Sequence, residues 1–358
     1  MFKVLSMIPS YYLFRNVGWP RVLPMNLTLS VTYRCNSHCK TCNIWQKKAD
    51  ELDLVEWRKI FHSFGTSPFW ATISGGEPFL RKDLAEVVIS LYDICHPSII
   101  NIPTNGLLNR PIVEGVKEIA DHCKRANIVV NLSLDEIGEK HDAIRGVPGN
   151  YDRALNTFQA LRSLKADNLS LGIHTVVSKW NVDRIPEICE QLRTFQPNSY
   201  ITEIAEERIE LGTMGADLAP SYEEYARVAD FLIGELDRTR LSGMGLMTKA
   251  FRLEYYKLVK RIMKEKRQVI PCYSGFASAQ ISPDGDVWMC CVKAHSIGNL
   301  RESNYDFKRI WNSEAAKETR QIIKKGQCYC PLANASYTNM LHHFPTLFRV
   351  GRNVAFNR

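Results

Sequence analysis

The apolar positions of this chain follow two alternating periodicities from about residue 27 to residue 239. Short runs rich in β-branched residues predict strands, and the segments between them carry apolar residues at helical spacing. The predicted strands are Leu27–Thr32, Trp70–Ser74, Ile99–Thr104, Val129–Leu134, Leu169–Val177 and Tyr200–Ala205. Capping-box sequences at 53–56 and 221–224 predict where the first and last intervening helices begin. Six strand–helix units of about 35 residues predict a parallel sheet with right-handed crossovers.

The alternation of strands and helices stops near residue 240. A basic helix is predicted over 248–266, and two alternating runs at 277–281 and 287–289, joined by Pro283-Asp284-Gly285, predict a β-hairpin. A further helix is predicted from about Asp306 to Lys325. We therefore expect a basic apolar extension (1–24), a strand–helix domain (25–239), a smaller domain (240–330) and a basic aromatic tail (331–358).

Three cysteines follow the first predicted strand. Cys35, Cys39 and Cys42 have the spacing CxxxCxxC, on a loop long enough to surround one metal centre. Thiolates suit a soft centre such as an iron–sulfur cluster or zinc. Structural zinc sites usually have four protein ligands, often as two close pairs. The three thiols therefore favour a four-iron cluster with one open iron over zinc.

The second predicted strand ends in Ser74-Gly75-Gly76-Glu77-Pro78. Two glycines let the backbone approach a ligand closely, and their free N–H and C=O groups can pair with the ammonium or carboxylate of an amino acid. A Gly-Gly pair alone is weak evidence, because most such pairs are plain turns. A cysteine triad after one strand, with this segment after the next, is much more specific.

With these two motifs the chain resembles the radical SAM enzymes. In that superfamily the triad holds a [4Fe–4S] cluster, S-adenosylmethionine (SAM) chelates the fourth iron, and the glycine segment contacts the SAM amino group. The resemblance therefore implies a SAM-binding cluster on the triad and cofactor contacts from Gly75, Gly76, Glu77 and Pro78. It also implies an α/β fold, an open (β/α)6 partial barrel of TIM type, which agrees with six units rather than the eight of a closed barrel.

Other positions near strand ends are candidate cofactor contacts. The segment 133–146 resembles the fourth-strand region of radical SAM maturases, which implies that Ser133 contacts SAM and that Arg145 holds its carboxylate. A loop arginine paired with Asp142 is the alternative. Asn105 either faces the site or takes the turn before Gly106. Thr41 stands where the family often has an aromatic residue, so Trp45 either covers the adenine or belongs to the core.

Five cysteines lie in the C-terminal region. The spacing Cys272-x12-Gly285-x4-Cys290 resembles the opening of SPASM or twitch domains, which carry auxiliary iron–sulfur clusters. Two clusters need about seven cysteines, so five imply one auxiliary [4Fe–4S] cluster in a twitch-like domain. The ligands so implied are Cys272, Cys290, Cys328 and Cys330. Cys291 could replace Cys290, and zinc is the alternative metal.

The resemblance implies a radical SAM enzyme. A one-electron donor such as flavodoxin or ferredoxin reduces the cluster, which cleaves SAM to methionine and a 5′-deoxyadenosyl radical; the radical takes hydrogen from an unactivated carbon. The substrate is either a peptide, as in maturases, or a lipid-linked or carbohydrate molecule at a membrane face. A non-catalytic cluster or zinc protein is the third hypothesis, and it leaves the glycine segment without a role. The residues do not identify a catalytic acid or base.

The net charge of +8 is concentrated at the two ends. Residues 1–49 contain seven Lys and Arg and no acid, and residues 331–358 contain three Arg and no acid. These aromatic, basic ends either pack on the barrel or contact an anionic membrane. A compact basic stripe typical of nucleic-acid binding is absent, so no nucleic-acid partner is expected.

The remaining cysteines and the start of the chain indicate a compartment. Cys95, Cys123 and Cys189 stand in helical patterns and are expected to be buried apolar residues rather than disulfide partners. The start is too polar after Pro9 for a signal peptide, and no apolar run is long enough to span a membrane. Oxygen-sensitive thiolates suit a reducing cytoplasm, with attachment to the inner membrane face as the alternative.

Overall fold

The computed structural model describes residues 2–239 and 243–356. The strands are β1 Asn26–Thr32, β2 Trp70–Gly75, β3 Ile99–Thr104, β4 Asn127–Ser133, β5 Leu169–Val177, β6 Ser199–Ile204, β7 Ser278–Ile281, β8 Asp286–Trp288 and β9 Ser296–Asn299. The helices are α1 Phe2–Val17, α2 Leu54–Phe64, α3 Leu84–Cys95, α4 Asn109–His122, α5 Glu139–Arg145, α6 Asn150–Arg162, α7 Ile185–Arg193, α8 Tyr222–Arg238, α9 Gly243–Glu265, α10 Phe307–Trp311, α11 Glu314–Lys324, α12 Ala333–Leu341 and α13 Phe344–Phe356.

The strands form one sheet in the order β6-β5-β4-β3-β2-β1-β7-β8-β9. From β1 to β6 each strand pairs in parallel with the next in the chain, with helices between them. This confirms the predicted (β/α)6 partial barrel and brings six carboxyl strand ends to one edge, where ligands gather in such folds. The predicted hairpin is confirmed as β7 and β8, and β7 continues the sheet by pairing in parallel with β1.

The two faces of the barrel strands differ in polarity because side chains alternate along a strand. In β1, Leu27, Leu29 and Val31 are fully buried in the apolar core. The alternate residues Thr28 and Ser30 face the barrel interior, where they meet polar partners such as Asn334 and Gln280. The core that stabilises the fold therefore lies between sheet and helices, and the polar interior is left for ligands.

Local sequence signals fix several helix ends. Both predicted capping boxes are present, since Asp53 and Ser221 each accept a hydrogen bond from the N3 backbone amide while the N3 glutamate reaches back. The predicted single helix from 306 to 325 is wrong. It is divided into α10 and α11 at 312–313, because Ser313 accepts a hydrogen bond from the amide of Ala316 and starts a new helix there.

Both ends of the described chain pack on the barrel. Tyr11 and Phe14 of α1 are buried in the core, as the packed alternative for the N-terminal extension predicts. Cys95, Cys123 and Cys189 are buried, which confirms their apolar role. In the described ranges no helix has both the length and the apolar character needed to cross a bilayer.

Helix α12 closes the open side of the barrel. Asn334 donates to the hydroxyl of Thr28 (2.9 Å), and Asn26 donates to Asn334 (2.7 Å) and Thr338 (2.9 Å), which ties α12 to the inner face of β1. The backbone amide of Ala333 donates to Glu203 of β6 (2.9 Å). One helix thus bridges the first and sixth strands.

Candidate active site

The cysteine triad lines a cavity at the carboxyl edge of the barrel. Cys35, Cys39 and Cys42 form one wall of this cavity, whose volume is about 220 Å³. Burial raises the pKa of the Cys35 thiol to about 11 and that of Cys42 to about 12, so the metal-free thiols are protonated at neutral pH. Binding of iron therefore has to release protons from them, as for other thiolate ligands.

Gly75 and Gly76 press against the backbone that leads into the triad. A Cβ on Gly75 would lie 2.1 Å from the carbonyl oxygen of Thr32, and one on Gly76 would lie 2.1 Å from that of Arg34. The contact is a short ladder: Gly76 N donates to Thr32 O (2.8 Å) and Glu77 N donates to Arg34 O (2.9 Å). These glycines therefore set the start of the cysteine loop, a role that their sequence did not reveal; their contact with SAM stays a prediction.

The carboxylate of Glu77 joins two strand ends. It is buried and accepts hydrogen bonds from the Thr104 hydroxyl (2.8 Å) and the Asn105 amide (2.8 Å), while Pro78 begins a buried turn behind it. Burial raises its pKa to about 7, more than these hydrogen bonds lower it. Because its oxygens are engaged by protein donors, Glu77 positions the ends of β2 and β3 at the cavity.

Asn105 does both of the things proposed for it. Its side-chain amide donates to Asn36 (2.7 Å) and Ser37 (3.0 Å) of the cysteine loop, and its carbonyl oxygen accepts from the amide of Leu107 (3.0 Å) within the turn. It also lines the cavity. The end of β3 therefore holds the loop from the side opposite to the glycines.

Arg145 lies beside the triad. Its guanidinium forms an ion pair with Asp135 (2.9 Å) and approaches the sulfur of Cys39 (3.7 Å). The alternative pairing with Asp142 is wrong, because Asp142 accepts from the amides of Gly149 and Tyr151. Burial raises the pKa of the Cys39 thiol, and the positive charge of Arg145 opposes that rise.

The backbone around Arg145 supports the same loop. Its carbonyl accepts from His38 N (3.0 Å), and the carbonyl of Ile144 accepts from Lys40 N (2.9 Å). Ser133, at the end of β4, also lines the cavity. Trp45 packs against His38 with ring centroids 4.5 Å apart and is partly exposed, so the core alternative for it is wrong. The contacts of Ser133, Arg145 and Trp45 with SAM stay predictions.

The opposite wall carries charged residues that the sequence did not single out. Arg208 donates to Glu206 (3.1 Å) and Glu203 (3.2 Å), and His174 lies 3.5 Å from Glu203. Burial raises the pKa of Glu203, but the hydrogen bond from His174 and the charge of Arg208 outweigh it and lower the value to about 2. Burial raises the pKa of Glu206 to about 7. Part of this wall could have been found from the sequence, because Glu206 and Arg208 follow the sixth strand directly.

The four cysteines predicted for the auxiliary cluster influence one another electrostatically, and one of them interacts with this wall. Burial is the main cause that raises the pKa of Cys290 to about 11, and the thiols of Cys272 and Cys328 contribute to this rise, so the three thiols lie within electrostatic range. Cys330 interacts in the same way with Cys290, Cys291, Cys272 and Glu206. The thiol of Cys291 instead hydrogen-bonds to Glu210. This arrangement favours Cys290 over Cys291 as a ligand, and the ligation itself stays a prediction.

Within residues 2–239 and 243–356, no three His, Cys, Asp or Glu side chains converge closely enough to hold a single metal ion. The thiols of a four-iron cluster bind different irons, whereas the ligands of zinc surround one ion. Three thiols around one cavity, with polar backbone groups beside them, fit a cluster whose remaining iron takes a small ligand.

Comparison with known proteins defines the class. The protein-family model for the radical SAM superfamily matches residues 29–192, and the model for an iron–sulfur cluster-binding domain, SPASM, matches residues 272–331. The chain belongs to the radical SAM superfamily, in the group with SPASM-type C-terminal domains. The zinc and non-catalytic hypotheses are therefore wrong.

Curated relatives extend over most of the chain. Mycofactocin maturase MftC of Mycolicibacterium smegmatis is 28% identical over 324 residues, covering 85% of this chain and 74% of that protein. PqqA peptide cyclase of Xanthomonas euvesicatoria is 28% identical over 318 residues, covering 82% and 75%. Among solved structures, Streptococcus suis SuiB bound to precursor peptide SuiA has a TM-score of 0.63 at 15% identity, covering 89% of this chain and 70% of that one.

A second solved structure supports the same fold. Native anSMEcpe with bound AdoMet has a TM-score of 0.63 at 16% identity, covering 92% of this chain and all of that one. The protein is thus a radical SAM enzyme that uses SAM, a [4Fe–4S] cluster and auxiliary iron–sulfur binding. When bound and reduced, the cluster supplies reductive cleavage of SAM to a 5′-deoxyadenosyl radical, which abstracts hydrogen from carbon. The protein itself orients the reactants and excludes water and oxygen.

Proposed function

We propose that this enzyme is a peptide maturase, which abstracts a hydrogen atom from an unactivated carbon of a peptide. The observation that supports this most is the similarity to a maturase and to a peptide cyclase, each extending over at least 82% of the chain. The two family models also match the two parts of the chain that contain the predicted cluster ligands, residues 29–192 and 272–331.

The cavity suggests how the two reactants are placed. The triad, Ser133 and Arg145 line the side on which SAM is proposed to bind. Glu203, Glu206 and Arg208 line the other side. Charged groups of both signs can pair with the amides and side chains of a peptide, and they lie between the triad and Cys330. We assign them to the substrate and propose that the auxiliary cluster binds substrate or accepts an electron from it.

We further propose that flavodoxin or ferredoxin supplies the electron, and that the enzyme works in the reducing cytoplasm. Iron–sulfur clusters reach the low potentials that such donors serve. The partly buried cysteine thiols of an unloaded enzyme would be oxidised in an oxidising compartment.

The experiment uses anaerobically reconstituted enzyme with dithionite and SAM. Short peptides encoded beside the gene are added, each synthesised with deuterium at its unactivated carbons. We expect deuterium to appear in 5′-deoxyadenosine and the peptide to change mass, because the radical takes hydrogen from the substrate. Cys42→Ala is the matched control and gives neither product. Cleavage of SAM without transfer from any peptide, but with transfer from a lipid-linked sugar, would overturn the proposal.

One observation favours a lipid-linked or carbohydrate substrate as the second candidate. Exposed aromatic residues of the terminal helices α1 and α13 lie side by side, with the rings of Tyr12 and Phe344 5.6 Å apart. An enzyme held at a membrane would meet lipid-linked molecules there. The deuterium experiment separates the two candidates, because the labelled molecule that loses its deuterium is the substrate.

A further inference from the structure

We propose that α1 and α13 together form a docking surface for an anionic lipid bilayer. This terminal face comprises Tyr12, Leu13, Val17, Trp19, Phe344, Phe348 and Phe356. The inference concerns where the enzyme works and goes beyond its proposed peptide substrate, since it holds for any reaction in the cavity.

The exposed apolar side of α1 is distinct from the side that packs on the barrel. Ile8, Tyr11 and Phe14 are buried at helical spacing, and this stripe accounts for the packing of α1. Val17, the last residue of α1, is 72% exposed, and Trp19, just after the helix, is 73% exposed. Because the core contact is already complete without them, these apolar side chains have no folding role that explains them.

Helix α13 also has one exposed apolar side and one buried side. Phe348 lies four residues after Phe344, and Phe356 lies eight residues after Phe348, so the three lie within about a third of a helical turn of one another. Phe348 is 74% exposed and Phe356 is 83% exposed, while Thr346 and Val350 are buried on the other side. Three exposed phenylalanines on one side are far more than the scattered apolar residues of an ordinary surface.

The two helices form one continuous surface. The rings of Tyr12 and Phe344 meet edge to face at 5.6 Å, and behind them Tyr11 meets His342 at 5.2 Å. The combined face therefore presents aromatic rings from both ends of the chain. Aromatic side chains of this kind are typical of protein that lies at the membrane interface without spanning it.

The charge around the terminal face identifies the occupant. Residues 1–49 and 331–358, which include both helices, contain no Asp or Glu. Arg21 and Arg352 are exposed, and Lys324 of α11 reaches the carbonyl of Asn16 (3.5 Å). Arg349 does not add to this charge, because it pairs with Glu254. Exposed cations beside these apolar side chains match an anionic lipid surface better than a neutral one.

The test uses the full reconstituted enzyme and vesicles that sediment. One set contains about 30% phosphatidylserine in phosphatidylcholine, and the other contains phosphatidylcholine alone. We expect the enzyme to sediment with the anionic vesicles at about 0.05 M salt and to bind at least about tenfold more weakly at about 0.5 M salt. We expect at least about tenfold weaker binding to neutral vesicles as well.

Two variants connect this binding to the terminal face. Phe348→Ser with Phe356→Ser should weaken binding at least about tenfold while leaving 5′-deoxyadenosine formation unchanged, since both side chains are exposed and far from the cavity lining. Val55→Ser, which removes an exposed apolar residue from α2, is the matched control and should bind as wild type does.

Three outcomes would overturn the proposal. In the first, wild-type enzyme stays in solution with anionic vesicles at low salt. In the second, the double variant binds as well as wild type. In the third, the terminal face instead holds two copies together, seen as a dimer by light scattering that the double variant abolishes while no vesicle binding occurs. The peptide substrate is tested separately, by the deuterium experiment, so this proposal and the proposed function can fail independently.

Discussion

The two groups of cysteines are organised in different ways. Cys35, Cys39 and Cys42 lie on one short loop, which is held by backbone bonds to the ends of β2 and α5 and by the side chain of Asn105. The auxiliary cysteines come from the start of the hairpin region, from its end and from the segment after α11. The first site is therefore encoded in local spacing, whereas the second exists only after distant segments have folded together.

The strongest test of this difference substitutes alanine for the cysteines of one group at a time. Alanine at Cys35, Cys39 and Cys42 should reduce SAM cleavage at least about a thousandfold, because the cluster supplies the chemistry. Alanine at Cys272 and Cys330 should leave slow 5′-deoxyadenosine formation intact. Each variant should hold about four irons where wild type holds about eight. If both variants lost SAM cleavage equally, the two sites would not be separable, and the comparison would fail.

A narrower test separates the adjacent cysteines. Cys290→Ala should remove about four irons, because its thiol lies with those of Cys272 and Cys328. Cys291→Ala should keep its full iron content, because its thiol faces Glu210. Iron and sulfide analysis with electron paramagnetic resonance of the reduced protein measures both. If iron were lost only from Cys291→Ala, the loop after β8 would have to change conformation when the cluster binds, so that Cys291 becomes the ligand.

Substitution of a glycine that packs against the start of the triad loop should have a smaller effect. Gly76→Ala places a methyl group against backbone atoms of Arg34, so the free energy of unfolding should fall by about 2–4 kcal/mol. Gly234→Ala is the control, since nothing lies within 4 Å of its added Cβ in α8; it should stabilise by about 0.5–1 kcal/mol. Urea unfolding of metal-free protein gives both values. Equal effects of the two substitutions would contradict this account of Gly76.

The smallest expected effect is a loss of folding stability at acid pH, caused by a buried histidine near the cysteine triad. His141 of α5 accepts from the amide of Asp135 (3.1 Å), and burial, aided by the charge of Arg145, lowers its pKa to about 4. The unfolded chain protonates near the ordinary value of about 6.5, so stability is complete above that pH and falls as the pH drops toward 4. The loss is at most about 3 kcal/mol.

The test compares urea unfolding at pH 7 and pH 5. His141→Gln should flatten this part of the pH profile, and His62→Gln, at an exposed position of α2, should leave it as in wild type. A profile for His141→Gln as steep as that of wild type would show that other groups cause the acid loss.

The sequence predicted the features that depend on residues close to one another along the chain. Strand periodicity gave all six barrel strands, and the spacing of Cys35, Cys39 and Cys42 gave their shared cavity, because both depend on neighbours along the chain. The choice between Cys290 and Cys291 was not predictable, since adjacent residues have the same spacing to every other ligand. The charged wall of Glu203 and Arg208 was missed because its acids and bases are paired by folding rather than by any motif.

The bridge made by α12 sets an order of events during synthesis. Asn26 on β1 finds its partners 308 and 312 residues later in the chain, at Asn334 and Thr338. A ribosome adds about 5–20 residues per second, so β1 emerges tens of seconds before α12 exists. During that interval the polar inner face of β1 is exposed to water, and the growing barrel remains open on the side that α12 later covers.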